Sequence, residues 1–176
     1  MNNSATASTP VKVGYLGPRG TFSQAAVVQH FGSNGLLHDF PTIDEVFAAV
    51  ENGLVDFGVV PVENSTEGAI NNTQDCLVDT RVRIVGEQVV LIVHNLLAQS
   101  GAHFENVKTI ASHKQSLAQC RKWLAAHAAG KALVECSSNG EAARMALADP
   151  GVAAIAGRIA AETYGLAILK EAIQDQ

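Results

Sequence analysis

Four short polar segments of the chain carry residue types that could bind a small ligand or act on it. They are residues 17–23 (GPRGTFS), 61–68 (PVENSTEG), 112–115 (SHKQ) and 137–140 (SSNG). Their hydroxyl, amide and imidazole groups supply neutral hydrogen-bond donors, and the free N–H groups at a helix start attract anions without many lysines. The four segments therefore indicate a site for a small anionic ligand with carboxylate or hydroxyl groups.

The elements that surround these segments are those of an α/β fold. Apolar runs alternate with amphipathic stretches, and each polar segment comes directly after a predicted strand. The pattern predicts strands over residues 11–16, 36–40, 55–60, 83–97, 107–111, 132–136 and 152–156, helices over 22–31, 43–50, 69–78, 117–129, 141–147 and 158–164, and an extended return over 166–173. Because loops at the carboxyl ends of parallel strands converge, we expect Thr21, Ser112 and Gln115 to line one cleft.

Four helix starts have the spacing of a capping box, in which Ser or Thr is followed three residues later by Glu or Gln. The pairs are Thr21 with Gln24, Thr42 with Glu45, Ser112 with Gln115, and Ser138 with Glu141. As caps alone they stabilise their helices by about 1 kcal/mol each, and this role accounts fully for Thr42 and Glu45. It does not explain why the glycine-rich and histidine-bearing starts lie directly after strands.

The amino-acid composition argues against nucleic acids and membranes as binding partners. The chain has 176 residues, of which 47% are hydrophobic, and its 12 basic and 17 acidic side chains give a net charge of −5. This balance argues against a nucleic-acid or anionic-membrane surface. No apolar run reaches the roughly 18 residues of a membrane span. Residues 1–10 lack the pattern of a signal peptide and are expected to form a disordered tail.

Cysteine and histidine usage predicts a cytoplasmic protein without a metal. Cys76, Cys120 and Cys136 are odd in number and have no Cys-x-x-Cys spacing, so we expect them to be reduced and partly buried. The six histidines show no ligand spacing. The motifs of P-loop, dinucleotide-binding, serine-hydrolase and zinc-protease sites are absent from the chain.

Taken together, the polar segments resemble those of the prephenate dehydratase family. The most specific matching pieces are residues 17–23 (GPRGTFS) and 60–65 (VPVENS). Weaker pieces are residues 112–120 (SHKQSLAQC), 153–156 (AAIA) and 164–166 (YGL). The resemblance runs from Val11 to Asp175, nearly the whole chain.

The resemblance implies two α/β subdomains with a cleft between them, similar to the type II periplasmic binding proteins. The first lobe is expected at about 11–80 plus 157–176 and the second at about 83–155. Members of the family convert prephenate to phenylpyruvate in phenylalanine biosynthesis, with loss of CO2 and water and without a cofactor. A homodimer that binds only the small-molecule substrate is expected.

The same resemblance supplies candidate site residues. The expected catalytic residues are Thr21, Glu63, Asn64, Ser65 and Gln115, with an orienting role for Glu63, since a carboxylate beside a dianionic substrate is repelled unless it is protonated or binds the hydroxyl. The expected substrate-binding residues are Gly20, Ser23, Ser112, His113 and Ser138.

The sequence also departs from the family pattern. Lys114 stands where the family usually has proline, and Asn139 where it usually has threonine. The family's Thr-Arg-Phe motif, whose threonine is usually held to be the proton donor, and its ACT regulatory domain would follow Gln176, so we expect impaired turnover. Two alternatives stay open at this point, a non-catalytic two-lobed module that binds a small carboxylate and an arogenate dehydratase.

Overall fold

The computed structural model describes residues 10–32, 35–66 and 68–175. Contacts between residues divide the chain into two compact units. The first unit contains the described residues up to 16 together with 27–87, and the second contains residues 17–26 together with those from 88 onward. Residues 157–175 thus belong to the second unit, whereas the sequence-based lobes assigned them to the first. The tail predicted at residues 1–10 lies outside the described residues, except for Pro10.

The first unit contains a three-stranded parallel sheet in the order β2-β1-β3. Val13 and Tyr15 on β1 and Val27 on α1 form its small buried core. Thr42 caps α2, since its hydroxyl oxygen accepts the Glu45 N–H at 3.2 Å, as the sequence predicts. The bounds are β1 (Lys12–Leu16), α1 (Phe22–Phe31, shared by both units), β2 (Leu36–Phe40), α2 (Ile43–Glu51) and β3 (Phe57–Val59).

A short antiparallel hairpin follows β3, and the sequence did not predict it. Its strands are β4 (Glu63–Asn64) and β5 (Gly68–Ala69), and α3 (Asn71–Asp79) comes next. The helix predicted over 69–78 begins at Asn71 in the structure, because Ala69 is paired in β5. The Thr73 hydroxyl donates to the Pro61 carbonyl oxygen at 2.6 Å. This hydrogen bond joins α3 to the residues just before β4.

The long strand predicted over residues 83–97 is wrong for most of its length. Only Asn95–Ala98 forms a strand, which we call β6. Among the described residues, none of the groups in 83–93 makes a backbone–backbone hydrogen bond. The β-branched residues favour an extended chain, but a strand also requires a neighbour with which to pair.

The second unit contains a five-stranded mixed sheet in the order β10-β6-β9-β7-β8. β7 runs parallel to β8 and β9, whereas β6 is antiparallel to β9 and β10. The helix predicted over 117–129 is two short helices, α4 and α5, with a break at Cys120. The bounds are β7 (Thr109–His113), α4 (Lys114–Gln119), α5 (Arg121–His127), β8 (Ala132–Cys136), α6 (Asn139–Ala148), β9 (Val152–Ala156), α7 (Arg158–Tyr164) and β10 (Ala167–Lys170), with a 3₁₀ turn at Phe104–Asn106.

Alanine dominates the core cluster in which α6 and α7 meet this sheet. Eight of the eleven buried residues in the cluster are alanines, and the other three are Leu97, Val152 and Leu166. The methyl side chains let the helix backbones lie close to the strands. The eight alanines are Ala111, Ala142, Ala143, Ala146, Ala154, Ala156, Ala160 and Ala161.

The three cysteines are free thiols that differ in burial. Cys120 is fully buried, and burial together with the nearby Asp175 carboxylate raises the pKa of its thiol to about 12. Cys76 and Cys136 are half-buried. We expect a thiol reagent at pH 8 to modify Cys76 and Cys136 in the folded protein well before Cys120, because the thiolate is the reactive form. In urea without reductant, titration should find three thiols, and a count of one would mean that a disulfide forms.

Candidate functional site

Three of the four polar segments meet in the second unit around the first turn of α6. Asn139, the first residue of this helix, contacts the turn between β7 and α4. Gly140, the next residue, lies against the loop at residues 17–21, here called the glycine loop. One dipeptide therefore holds two of the loops that the sequence indicated as binding segments.

The glycine loop is shaped by hydrogen bonds of its own. The Gly20 N–H donates to Oε1 of the buried Gln24 at 2.6 Å, and the Thr21 hydroxyl donates to the Pro18 carbonyl oxygen at 2.9 Å. Gly20 has a φ of +83°, and a Cβ there would lie 2.7 Å from the Tyr164 ring. Only glycine fits this position without strain. Gln24 therefore reaches back to Gly20, whereas a capping box would take it to the N–H of Thr21.

The carbonyl oxygen of Arg19 anchors the glycine loop to α6 and α7. It accepts the Tyr164 hydroxyl at 2.9 Å. A Cβ on Gly140 would overlap this oxygen and would lie 3.1 Å from Cγ of Pro18. The absence of a side chain at Gly140 is therefore what lets the loop lie on the start of α6.

The turn between β7 and α4 is capped by His113, which corrects the predicted cap at Ser112. Nδ1 of His113 accepts the Gln115 N–H at 3.4 Å. Ser112 is fully buried as a residue of β7, and its hydroxyl donates to the Ile155 carbonyl oxygen at 2.6 Å. Because Nδ1 of His113 accepts the Gln115 N–H, the ring N–H is on Nε2.

The Gln115 side chain carries an unsatisfied donor. Its amide nitrogen Nε2 is buried and has no hydrogen-bond partner among the described residues. A buried donor without an acceptor costs about 1–3 kcal/mol. A ligand carboxylate or hydroxyl oxygen that reached this amide would recover that cost.

Ser138 caps α6 as the sequence predicts, since its hydroxyl oxygen accepts the Glu141 N–H at 3.0 Å. The Glu141 carboxylate instead accepts the N–H and hydroxyl of Ser137, and the hydroxyl hydrogen bond is the main cause of the lowered pKa of Glu141. Ser23 is half-buried in the first turn of α1.

Glu63, Asn64 and Ser65 lie in the first unit, in and directly after β4. Glu63 and Ser65 are exposed, and Asn64 is half-buried. Oδ1 of Asn64 accepts the Thr66 N–H at 2.8 Å, which closes the turn of the hairpin. The carboxamide oxygen is thus committed to the turn, and the amide NH2 of Asn64 donates to no group in the described part of the chain.

His94 is a buried titratable group just before β6. Its Nε2 lies 2.7 Å from Oε1 of Gln119 and donates to it, whereas Nδ1 has no partner among the described residues. The Phe22 ring meets the His94 imidazole edge-on, with 5.6 Å between ring centroids. Burial is the main cause that lowers the pKa of His94.

Acidification should therefore destabilise the protein through His94. Its folded-state pKa is below the unfolded value of 6.5, so the unfolded chain takes up the proton first. The contribution of His94 to stability is complete above pH 6.5 and is lost as the pH falls toward the folded-state pKa, with a slope of at most about 1.4 kcal/mol per pH unit. Urea unfolding at pH 7.5 and 5.5 should show this loss in wild type and a smaller loss in His94→Asn. Equal losses in both proteins would contradict the prediction.

No group of three or more His, Cys, Asp or Glu side chains in the described part of the chain could hold a metal ion. No helix among residues 10–32, 35–66 and 68–175 is both long enough and apolar enough to cross a bilayer.

Comparisons with known proteins place these features in a family context. The family model for prephenate dehydratase matches residues 13–176. The chain is 47% identical over 176 residues to the bifunctional chorismate mutase/prephenate dehydratase of Stutzerimonas stutzeri, an alignment that covers 100% of this chain and 48% of that protein. It is 38% identical over 178 residues to arogenate dehydratase 2 of Petunia hybrida, covering 99% of this chain and 44% of that one.

A solved structure supports the same relationship. The prephenate dehydratase of Arthrobacter aurescens, crystallised with L-Phe, aligns with a TM-score of 0.85 and 33% identity over 94% of this chain and 56% of that chain. This likeness confirms the predicted α/β fold of the periplasmic-binding-protein kind. The chain spans about half the length of the curated relatives it matches.

Reasoning from the sequence did not assign roles to Asn139, Gly140 and Tyr164. A glycine in the first turn of a helix is unfavourable for the helix itself and is therefore a signal of a close approach by another part of the chain. Asn139 was visible as a member of the polar segment 137–140 and as a departure from the family pattern, but nothing in the sequence indicated that its carboxamide joins two segments.

Proposed function

The chain belongs to the prephenate dehydratase family, and we propose on that premise that it forms the catalytic domain of a lyase that converts prephenate to phenylpyruvate in phenylalanine biosynthesis. The single observation that carries this proposal is the family match across residues 13–176. The donors gathered around the first turns of α4 and α6 are of the kind that such a substrate needs.

Prephenate is a dianion, so its two carboxylates need hydrogen-bond donors more than they need acids. Gln115 NH2 and His113 Nε2–H supply two such donors, and Gly20, Ser23 and Ser138 belong to the segments beside them. Ser112 is fully buried and contributes by fixing β7 to β9 rather than by touching the substrate. Thr21 orders the glycine loop through its bond to Pro18.

The reaction requires loss of the ring carboxylate as CO2 and protonation of the ring hydroxyl. The bond between the ring and its carboxylate breaks, the electron pair enters the ring as it becomes aromatic, and the hydroxyl leaves with a proton as water. Because aromatisation drives this step, positioning and modest acid catalysis are sufficient. In this proposal Asn64 and Ser65 hydrogen-bond to the substrate, and Glu63 orients its hydroxyl.

The experiment that tests the function measures prephenate binding by calorimetry and phenylpyruvate formation near neutral pH, since prephenate aromatises unaided in acid. Binding with turnover supports the dehydratase. Binding without turnover favours the alternative of a non-catalytic carboxylate-binding module for this chain. The absence of both prephenate binding and phenylpyruvate formation would overturn the proposal.

Arogenate is a second candidate substrate, and the observation that favours it is the 38% identity to the Petunia protein named arogenate dehydratase 2. Arogenate has an amine where prephenate has a ketone, and the rest of the two molecules is shared. Competition calorimetry with both compounds separates the candidates, because the preferred substrate displaces the other at lower concentration.

Replacing Asn64 with alanine is expected to weaken prephenate binding about tenfold with little change in the free energy of unfolding. The Asn64 side chain is half-buried, and the hydrogen bond that it accepts from the Thr66 N–H closes an exposed turn, so the fold loses little. The matched control is Asn106→Ala, on the 3₁₀ turn of the second unit, which should bind prephenate normally. Unchanged binding by Asn64→Ala would remove Asn64 from the site.

A homodimer is part of the same proposal, with residues 83–93 as the surface of contact. Four apolar side chains of this segment are more than 70% exposed, namely Ile84, Val85, Val89 and Leu91. The segment also makes no backbone–backbone hydrogen bond among the described residues, which makes it a template for pairing with the same segment of a second copy. Light scattering should give twice the monomer mass for wild type, the monomer mass for a Val89→Lys/Leu91→Lys variant, and an unchanged dimer for the control Val78→Lys. A wild-type monomer would contradict this assignment.

The proposed compartment is the cytoplasm. Its support is that Cys76, Cys120 and Cys136 are all free thiols, as is usual where glutathione keeps cysteines reduced.

A further inference from the structure

The carboxamide of Asn139 is the most heavily bonded side chain around the candidate site. Its oxygen Oδ1 lies 3.2 Å from the His113 backbone nitrogen, 3.0 Å from the Ser116 hydroxyl and 3.0 Å from the Ser112 hydroxyl. Asn139 is only 8% exposed, and Ser112 and Ser116 are also buried. These contacts join α6 to both ends of the β7–α4 turn.

Counting protons fixes the orientation of this carboxamide. The Ser112 hydroxyl has one proton, which goes to the Ile155 carbonyl oxygen at 2.6 Å, because a carbonyl cannot donate. The His113 N–H and the Ser116 O–H then fill the two lone pairs of Oδ1. Reversing the amide would direct its NH2 group at the His113 N–H, so the oxygen must face the turn.

Asn139 reaches Gln115 through His113. Its oxygen holds the His113 N–H, and the ring of the same histidine caps α4 by accepting the Gln115 N–H. Ser116, the next residue in α4, is held by the same oxygen. One acceptor atom therefore holds the His113 backbone N–H before Gln115 and the Ser116 hydroxyl after it.

We propose that Asn139 is a positioning residue of the candidate site, which sets the conformation of the β7–α4 turn and with it the place of the Gln115 amide. This inference rests on the proposed function, since the position of Gln115 matters only if its amide meets a substrate. Asn139 acts through His113 and Ser116 and does not need to touch the substrate itself.

The first test is a double-mutant cycle with prephenate as the probe. Asn139→Ala should weaken binding about tenfold and Ser116→Ala about threefold, in line with the loss of hydrogen bonds that hold a buried turn. Because the Ser116 hydroxyl acts only through Asn139, the double variant should bind no more weakly than Asn139→Ala alone. Additive losses would overturn the positioning role. If Asn139→Ala folds poorly, Ser116→Ala alone still tests the proposal, and unchanged binding by Ser116→Ala would overturn it.

The second test does not depend on the substrate. In wild-type protein and in Asn139→Asp, which keeps an acceptor oxygen, the backbone amide resonances of His113 and Gln115 should occupy similar positions in an NMR spectrum, whereas Asn139→Ala should move both. Resonances that stay in place in Asn139→Ala would overturn the inference. If wild-type protein binds no prephenate while Asn139→Ala still moves these resonances, the proposed function fails and the positioning of the turn stands.

Discussion

Replacement of Gly140 by alanine is expected to lower the free energy of unfolding by about 1–3 kcal/mol and to abolish measurable prephenate binding. The new methyl group would overlap the Arg19 carbonyl oxygen and crowd the Pro18 ring, so the glycine loop must move away from the first turn of α6. The loop would then also lose the hydrogen bond from the Tyr164 hydroxyl to Arg19. Helix propensity works in the opposite direction, because alanine favours a helix by roughly 1 kcal/mol over glycine.

Urea unfolding and calorimetry measure the two parts of this prediction. Gly35→Ala is a matched control, since Gly35 has no positive φ and its added Cβ would lie an ordinary 3.4 Å from Cδ2 of Leu37 and from the Val11 carbonyl oxygen. The control should be close to wild type in both measurements. If Gly140→Ala were more stable than wild type, helix propensity would outweigh the clash, and the close packing of the loop on α6 would be refuted.

Replacement of Gln115 by methionine is expected to weaken prephenate binding about 10- to 100-fold and yet to stabilise the free protein by about 1–2 kcal/mol. Methionine has a similar length and no donor, so the cost of the unsatisfied Nε2 group disappears from the unliganded state. A hydrogen bond to a charged oxygen is lost in the complex. Opposite changes in stability and affinity are the signature of a residue kept for the ligand.

Gln29→Met provides the comparison, because Gln29 is an exposed glutamine on α1. It should leave both thermal stability and prephenate affinity unchanged. A Gln115→Met variant that binds prephenate as tightly as wild type would exclude Gln115 from the site, whatever its effect on stability.

The sequence predicts much of the framework because the elements satisfy local rules. The helix over Phe22–Phe31 and the strands Leu36–Phe40, Ala132–Cys136 and Val152–Ala156 have the predicted bounds, and hydrophobic periodicity with flanking turns is sufficient to define them. The strand predicted over 83–97 fails for the opposite reason. Strand formation depends on a pairing partner, and no local pattern in the chain says whether one is present.

The candidate site divides in the same way between local and non-local information. The caps at Thr42 and Ser138 follow from spacing alone, and both are confirmed. The cap of α4 is His113 instead of Ser112 because β7 extends to His113 and buries the serine hydroxyl against β9. The contacts between Asn139 and the β7–α4 turn join groups more than twenty residues apart, and a single sequence gives no way to predict them.

Alanine scanning, which usually identifies core residues, would miss most of the alanine-rich core of the second unit. Alanine scanning finds most cores because it removes side-chain atoms beyond Cβ, but eight of the eleven core residues around α6 and α7 are already alanine and have no such atoms. What holds this core is the short distance between helix and strand backbones, and alanine gives up no side-chain rotamers when it folds. Scanning with valine would therefore map this core, since the added methyl groups push the layers apart.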